Sequence, residues 1–226
     1  MKAVISKPGL VALVALSLLV GPPAAVPAAA VAEEPTITPI EFPGASQTSA
    51  GGINARGDIV GSYRRCPLPS PPGCAEPDRQ SHGFLLRGGT FTSIDVPGAM
   101  STQAHGISPG GDIVGNYDPP CCPAGRLGFV LRGGTFTLIH FPGSIFTDAF
   151  GINPHGDVVG RYAVDNVKTG NGFVLRAGTF TPVHFPGAIL TDAAGINPRG
   201  DIVGNVIMPA GIGGDRKVHG FLLSQK

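Results

Sequence analysis

The chain has 226 residues, of which 35 are glycine and 23 proline; 42% are hydrophobic and 14% charged. Glycine and proline at that density exclude a helix-rich enzyme, because they are the two poorest residues for a helix interior, while the hydrophobic share excludes a disordered chain. A formal charge of +1 and the absence of tryptophan leave neither a basic field for phosphates nor a rich stacking platform, so no nucleic acid is expected as a partner.

Taken in chain order, residues 1–32 read as a secretory signal peptide. Lys2 and Lys7 supply a positive start, and 10–20 (LVALVALSLLV) is an apolar stretch of 11 residues. Ala28-Ala29-Ala30 or Ala30-Val31-Ala32 follows as a small-residue cleavage site. Eleven residues fall short of the roughly 20 that span a bilayer, and no second apolar segment follows. The protein is therefore expected to be secreted or periplasmic, with no membrane attachment after cleavage, and 33–226 to form a single domain.

From residue 48 onward one pattern recurs four times. Its first half is 48–63 (TSAGGINARGDIVGSY), 102–117 (TQAHGISPGGDIVGNY), 147–162 (TDAFGINPHGDVVGRY) and 191–206 (TDAAGINPRGDIVGNV). Its second half is 82–98 (HGFLLRGGTFTSIDVPG), 127–143 (LGFVLRGGTFTLIHFPG), 171–187 (NGFVLRAGTFTPVHFPG) and the shorter 219–226 (HGFLLSQK). Within each repeat four strands a, b, c and d are predicted, near 149–153, 157–162, 172–176 and 179–185 in the third. Asn153-Pro154-His155-Gly156 has the residues of a tight a–b hairpin, Gly133-Gly134 those of a primed c–d turn, and Pro142 ends strand d. Four short strands in about 45 residues is the signature of a propeller blade.

The ends extend this reading. A lone strand d, 38–42 (TPIEF), precedes the first repeat, and the last repeat stops after strand c at 220–223. Pairing them completes a fourth blade and leaves no edge. The expected fold is all-β: a four-bladed β-propeller with four antiparallel strands per blade, the N-terminal strand completing the last, and a monomeric protein. An open repeat array that closes by dimerising is the alternative.

The alternation of a Gly-Ile-Asn-x-x-Gly-Asp-Ile-Val-Gly unit with a His-Gly-Phe unit resembles the HAF family of bacterial extracellular repeat proteins. Blades two and three depart from it, with Leu127 and Asn171 in place of the histidine. The resemblance covers essentially all of 33–226. It implies export and a propeller-like fold, and it brings no reaction and no catalytic residues.

A residue present in every repeat serves the blade, whereas a function that occurs once belongs where the repeats differ. The Asn-x-x-Gly-Asp spacing lacks the further carboxylates of a calcium loop, so Asn54, Asn153 and Asn197 are read as hairpin residues. Arg56-Gly57-Asp58 and Arg199-Gly200-Asp201 spell an adhesion tripeptide, but Gly-Asp recurs in all four hairpins. Glu41, Asp95, His140 and His184 share one strand-d position and have metal-ligand chemistry; on an outer strand they are kept apart, so no metal and no cofactor is expected.

The irregular segments are the b–c loops, 64–81, 118–126, 163–170 and 207–218, which emerge on one face with the d–a links. Loops on a rigid scaffold commonly carry binding function. Arg64, Arg65, Arg79, Asp118, Arg126, Lys168 and Arg216 are candidate binding residues there, with Asp148 and Asp192 at the start of strand a. Cys66 and Cys74 in the first loop, and Cys121 and Cys122 in the second, are disulfide candidates in an exported chain, expected to bridge the two loops. No catalytic constellation is present. The expected function is a secreted, non-catalytic binding or scaffold module for an extracellular glycan, protein or surface ligand. The alternative is a glycan-cleaving hydrolase or lyase at the axial mouth, with Asp148 and Asp192 as its paired carboxylates.

Overall fold

The computed structural model describes residues 35–66, 80–120, 125–165, 169–210 and 215–225. The proposed signal peptide, Arg79, Lys168, Cys74, Cys121 and Cys122 lie outside the described residues. Two compact units are present, 1–38 and 39–226, and the four repeats belong to the second.

The described chain is all-β, four antiparallel sheets arranged as a four-bladed β-propeller. Blade one contains β1 (Gln47–Ile53), β2 (Ile59–Arg64), β3 (His82–Arg87) and β4 (Thr90–Ile94) in that spatial order. Blade two repeats the order with β5 (Ser101–Ile107), β6 (Ile113–Asp118), β7 (Leu127–Arg132) and β8 (Thr135–Ile139). Blade three has β9 (Phe146–Ile152), β10 (Val158–Ala163), β11 (Asn171–Arg176) and β12 (Thr179–Val183). Blade four has β13 (Leu190–Ile196), β14 (Ile202–Met208) and β15 (Lys217–Leu223).

The turn chemistry explains these boundaries. Gly133 and Gly134 take φ of 55° and 84°, the pair of positive values a primed two-residue hairpin needs. In blade three the same corner is Ala177-Gly178, and Ala177 is held at φ 47° in spite of its Cβ. At the a–b corner the Asn153 side-chain oxygen accepts from the backbone N–H of His155 and of Asp157, at 2.9 and 3.0 Å. Asn54 and Asn197 do the same, so the repeated asparagines are turn residues.

Each strand a carries a β-bulge, opposite the last glycine of the Ile-Val-Gly unit. In blade three a Cβ on Gly160 would run into the Asp148 carbonyl oxygen and lie 2.8 Å from the Phe173 ring. Glycine is required there by close approach. The bulge turns the first half of strand a, which carries Asp148, relative to its second half.

Packing runs from one blade to the next. Strand b of one blade meets strand a of the following blade, as β2 with β5, β6 with β9 and β10 with β13. Val60, Val114 and Val159 are sealed by that contact. Strand a adds a backbone bond at each junction: Thr102 N–H to Ser81 O, Thr147 N–H to Arg126 O, and Thr191 N–H to Gly170 O, at 2.7–3.0 Å.

The structure corrects one expectation, the pairing of 38–42 with 220–223. No strand forms over 38–42, and the fourth sheet ends at β15 with three strands. The physical reason is that Phe42 ties the segment to blade one, and blade one does not cover blade four, whose Val203 stays exposed, so no β15 edge lies beside 38–42. The Phe42 ring stacks on Tyr63 at 3.6 Å and meets Phe91 edge-on at 5.2 Å, while its N–H donates to Thr48 Oγ1 at 3.0 Å. Phe141 enters blade three in the same way, stacked on Tyr162 and bonded to Thr147 Oγ1.

Candidate functional site

Where the strand-a starts and b–c loops of blades two and three meet, a polar cluster is built around Asp148. Asp148 is 2% exposed. Arg161 stands opposite it in the β9–β10 register and donates from Nη2 to Asp148 Oδ2 at 2.9 Å. Asn116 of β6 donates from Nδ2 to Asp148 Oδ1 at 3.0 Å. The same amide donates to His105 Nε2 at 2.9 Å, which requires an imidazole with its proton on Nδ1. Burial pushes His105 below the usual histidine range, against the pull of the Asp148 charge, so the neutral ring is favoured and the network is internally consistent.

Arg161 also approaches Asp192 of blade four, with Nε 3.4 Å from Oδ1. That contact is an ion pair without an aligned hydrogen bond, since both atoms are buried and lack one. Burial raises the Asp192 carboxyl above its ordinary value, with Arg161 opposing. The guanidinium is further held by rings, 5.0 Å above Phe146 and 6.0 Å from Phe150. Arg161 thus bridges two carboxylates and is fixed in place by packing.

Above this floor lies a pocket of about 280 Å³ lined by Asp118, Gly125, Arg126, Phe146, Asp148 and Arg161. Arg126 pairs with Asp118 at 3.3 Å and stands 4.0 Å from Asp148; its side chain and that of Asp118 are both partly open to solvent. The pocket therefore offers a carboxylate and a guanidinium free to re-aim, an aromatic wall, and a base that cannot move. Such a set hydrogen-bonds hydroxyl groups in both directions and packs an apolar ring face.

Of the candidate residues, the structure brings Asp118, Arg126, Asp148 and Asp192 into this one region. Arg64 and Arg65 sit at the end of β2, Arg65 with its guanidinium 5.8 Å from the Tyr63 ring centroid, and Arg216 is exposed just before β15. They form no common site with the four. Cys66 is buried, and the cysteines expected to bridge to its loop lie outside the described residues.

Arg161, Asn116 and His105 were missed by sequence reasoning, which looked for function in loops. Arg161 and Asn116 occupy the position after Val-Gly in strand b, the most variable of that unit, where Ser62 and Asn205 stand in the other blades. The rule that function sits where repeats differ would have found them had it been applied to strand b.

Asp95, His140 and His184 are each engaged locally: Asp95 with His82 at 2.8 Å, His140 with the Ser144 carbonyl at 3.0 Å, and His184 with Asn171 at 2.7 Å. Among the described residues no group of three or more His, Cys, Asp or Glu side chains is placed to hold a metal ion, and no helix is long and apolar enough to cross a membrane. No protein-family model matches the chain, and no curated protein matches it.

Proposed function

We propose that this is a secreted, non-catalytic binding module, and that its ligand is a glycan taken at the loop-face pocket between blades two and three. The observation that carries this reading is the contrast inside the pocket. Asp148 and Arg161 are locked by four neighbours, while Arg126 and Asp118 above them keep solvent-facing donors and acceptors beside the Phe146 ring. Sugars are bound by that combination of bidirectional hydrogen bonds and an apolar wall on a rigid scaffold. Disulfides linking the loops of Cys66–Cys74 and Cys121–Cys122, export, and kinship with the HAF-type repeat proteins belong to the same reading.

The enzymatic alternative draws its support from Asp192, whose carboxyl is raised by burial near a second carboxylate, as acid–base pairs require. It is the weaker reading because Arg161 sits between the two groups and Asp192 does not line the pocket. A glycan array probed with the wild-type chain and with Arg126→Ala tests the proposal. Arg126 is largely superficial, so its loss leaves the fold intact. We expect selective binding by the wild type and a loss of at least about tenfold in the variant, the scale of one charge-assisted hydrogen bond. Equal binding by both, or turnover of the bound glycan, would overturn it.

A further inference from the structure

The two ends of the blade array carry complementary halves of an interface that the chain forms three times within itself. Val203 of β14 occupies the position of Val60, Val114 and Val159, yet it is 51% exposed where they are sealed. Ile53 of β1 occupies the position of Ile107 and Ile152, buried in the internal junctions, and of the half-buried Ile196, yet it is 66% exposed. Ala50 is exposed where Ala104, Ala149 and Ala193 are buried. Blade four thus presents the face that strand a of a following blade covers, and blade one presents an uncovered strand a.

The sheet edges match as well. Along β15 runs a groove of about 300 Å³ lined by Val183, Phe185, Phe221 and Leu222 among others. In blade three, Phe180 of the fourth strand packs edge-on against Phe141 and Phe173, at 5.1 and 5.4 Å; Phe185 and Phe221 are the counterparts of those two partners. Residues 36–44 (TITPIEFPG) repeat 179–187 (TFTPVHFPG) position by position. Ile37 is therefore the counterpart of Phe180, and it is 94% exposed.

Charge complementarity gives an independent sign. Asp95 pairs with His82 across β3 and β4 at 2.8 Å, and His184 pairs with Asn171 across β11 and β12. The same register places Glu41 opposite His219, an acid again facing a histidine. It also sets Ile40 opposite Gly220 and Thr38 opposite Leu222, as Val183 faces Gly172 and Thr181 faces Val174.

We propose that a second copy of this chain occupies the open end: blade one of the partner docks on blade four, and residues 36–41 of the partner add the fourth strand to β15. Phe42 is committed to blade one, so segment 36–41 travels with that blade, and the blade that covers Val203 brings the strand with it. The chain's own first blade is not in that place, since Ile53 and Val203 are both exposed. Two copies that close each other's ends make an eight-bladed ring with no free edge, inside the range of closed propellers. The proposal replaces the monomer expected from the sequence and does not depend on the glycan reading.

Light scattering on the full chain, in thiol reductant so that cysteines cannot link copies, should give twice the 23.0 kDa chain mass. Val203→Asp and Ile53→Asp alter exposed side chains, so each variant should keep its circular dichroism spectrum but fall to the single-chain mass. Ile37→Asp should do the same from the strand side. Mixing the Val203→Asp and Ile53→Asp chains leaves one intact junction per pair, and the doubled mass should return at higher concentration than the wild type needs. A wild type of single-chain mass overturns the proposal, as does a mass that keeps climbing with concentration. Folded variants that remain double, or a mixture that stays single, count equally against it; a wild type of single-chain mass would point to closure within one chain.

Discussion

Asp58 lies in an Arg-Gly-Asp triplet, but its carboxylate is buried and engaged within the blade. Arg87 donates to it from Nε and Nη2 at 3.0 and 3.1 Å, and Asn54 Nδ2 at 3.0 Å. These bonds, Arg87 foremost, hold its pKa at about 2, below the model-peptide value of 3.8. The unfolded chain therefore binds more protons than the folded one between those values, and stability is lost as pH falls through that window. The contribution is complete above about pH 5. Asp58→Asn should lower the melting temperature at neutral pH, and its deficit relative to wild type should shrink between pH 4 and 2. A deficit that is constant with pH would mean that the carboxylate charge is not what Arg87 recognises. Arg132 with Asp112 and Arg176 with Asp157 repeat the tie between the two hairpins of a blade, and in blade four the Gln225 N–H takes the arginine's place on Asp201.

At the scale of the element, the bulge in strand a and the glycine in strand b are one device. The bulged backbone moves into the space that a side chain on strand b would fill, and the c-strand phenylalanine packs over both. Gly160→Ala would press a methyl group against the Asp148 carbonyl and the Phe173 ring, which is fully buried. The expected cost is about 3 kcal/mol, at the upper end for overpacking a close-packed core, measured as a shift in the urea midpoint at unchanged slope. Because Asp148 rides on the same bulge, the glycan binding proposed above should weaken in the folded fraction too. An alanine variant as stable as the wild type would show that the bulge relaxes freely.

For the whole molecule, blades touch their neighbours in sequence, so stability should be close to a sum of blade and junction contributions. Removing residues 188–226 deletes blade four and uncovers Val159 and Val174, which it shields. The remaining three blades should keep a β-type circular dichroism spectrum and unfold cooperatively at a lower temperature. Complete loss of structure would reveal a ring whose stability exists only when closed. The same reasoning links the scale of the molecule to that of the assembly: an array held together by neighbour contacts leaves one unsatisfied face at each end.

Repeat length, the four strands of blades one to three, the hairpin corners and the all-β class were all legible in the sequence, because each depends on local chemistry. Glycine pairs permit positive φ, proline ends a ladder, and alternation sets which side chains meet the core. The turn reading of the repeated asparagines was legible too, since each side-chain oxygen accepts from the backbone of its own hairpin. What lay beyond local chemistry was long-range. Residues 38–42 have the pattern of a strand, but a strand exists only where a partner edge lies beside it, and the stacking of Phe42 on Tyr63 holds the segment to blade one. Arg161 and Asn116 look like variable strand residues until blades two and three are assembled and β6 and β10 bring them onto Asp148 of β9. The sequence by itself determined the blade, because a blade is built from contacts within about 45 residues; only the tertiary structure decided which blades share a site and which faces stay open, because those contacts join residues far apart in the chain.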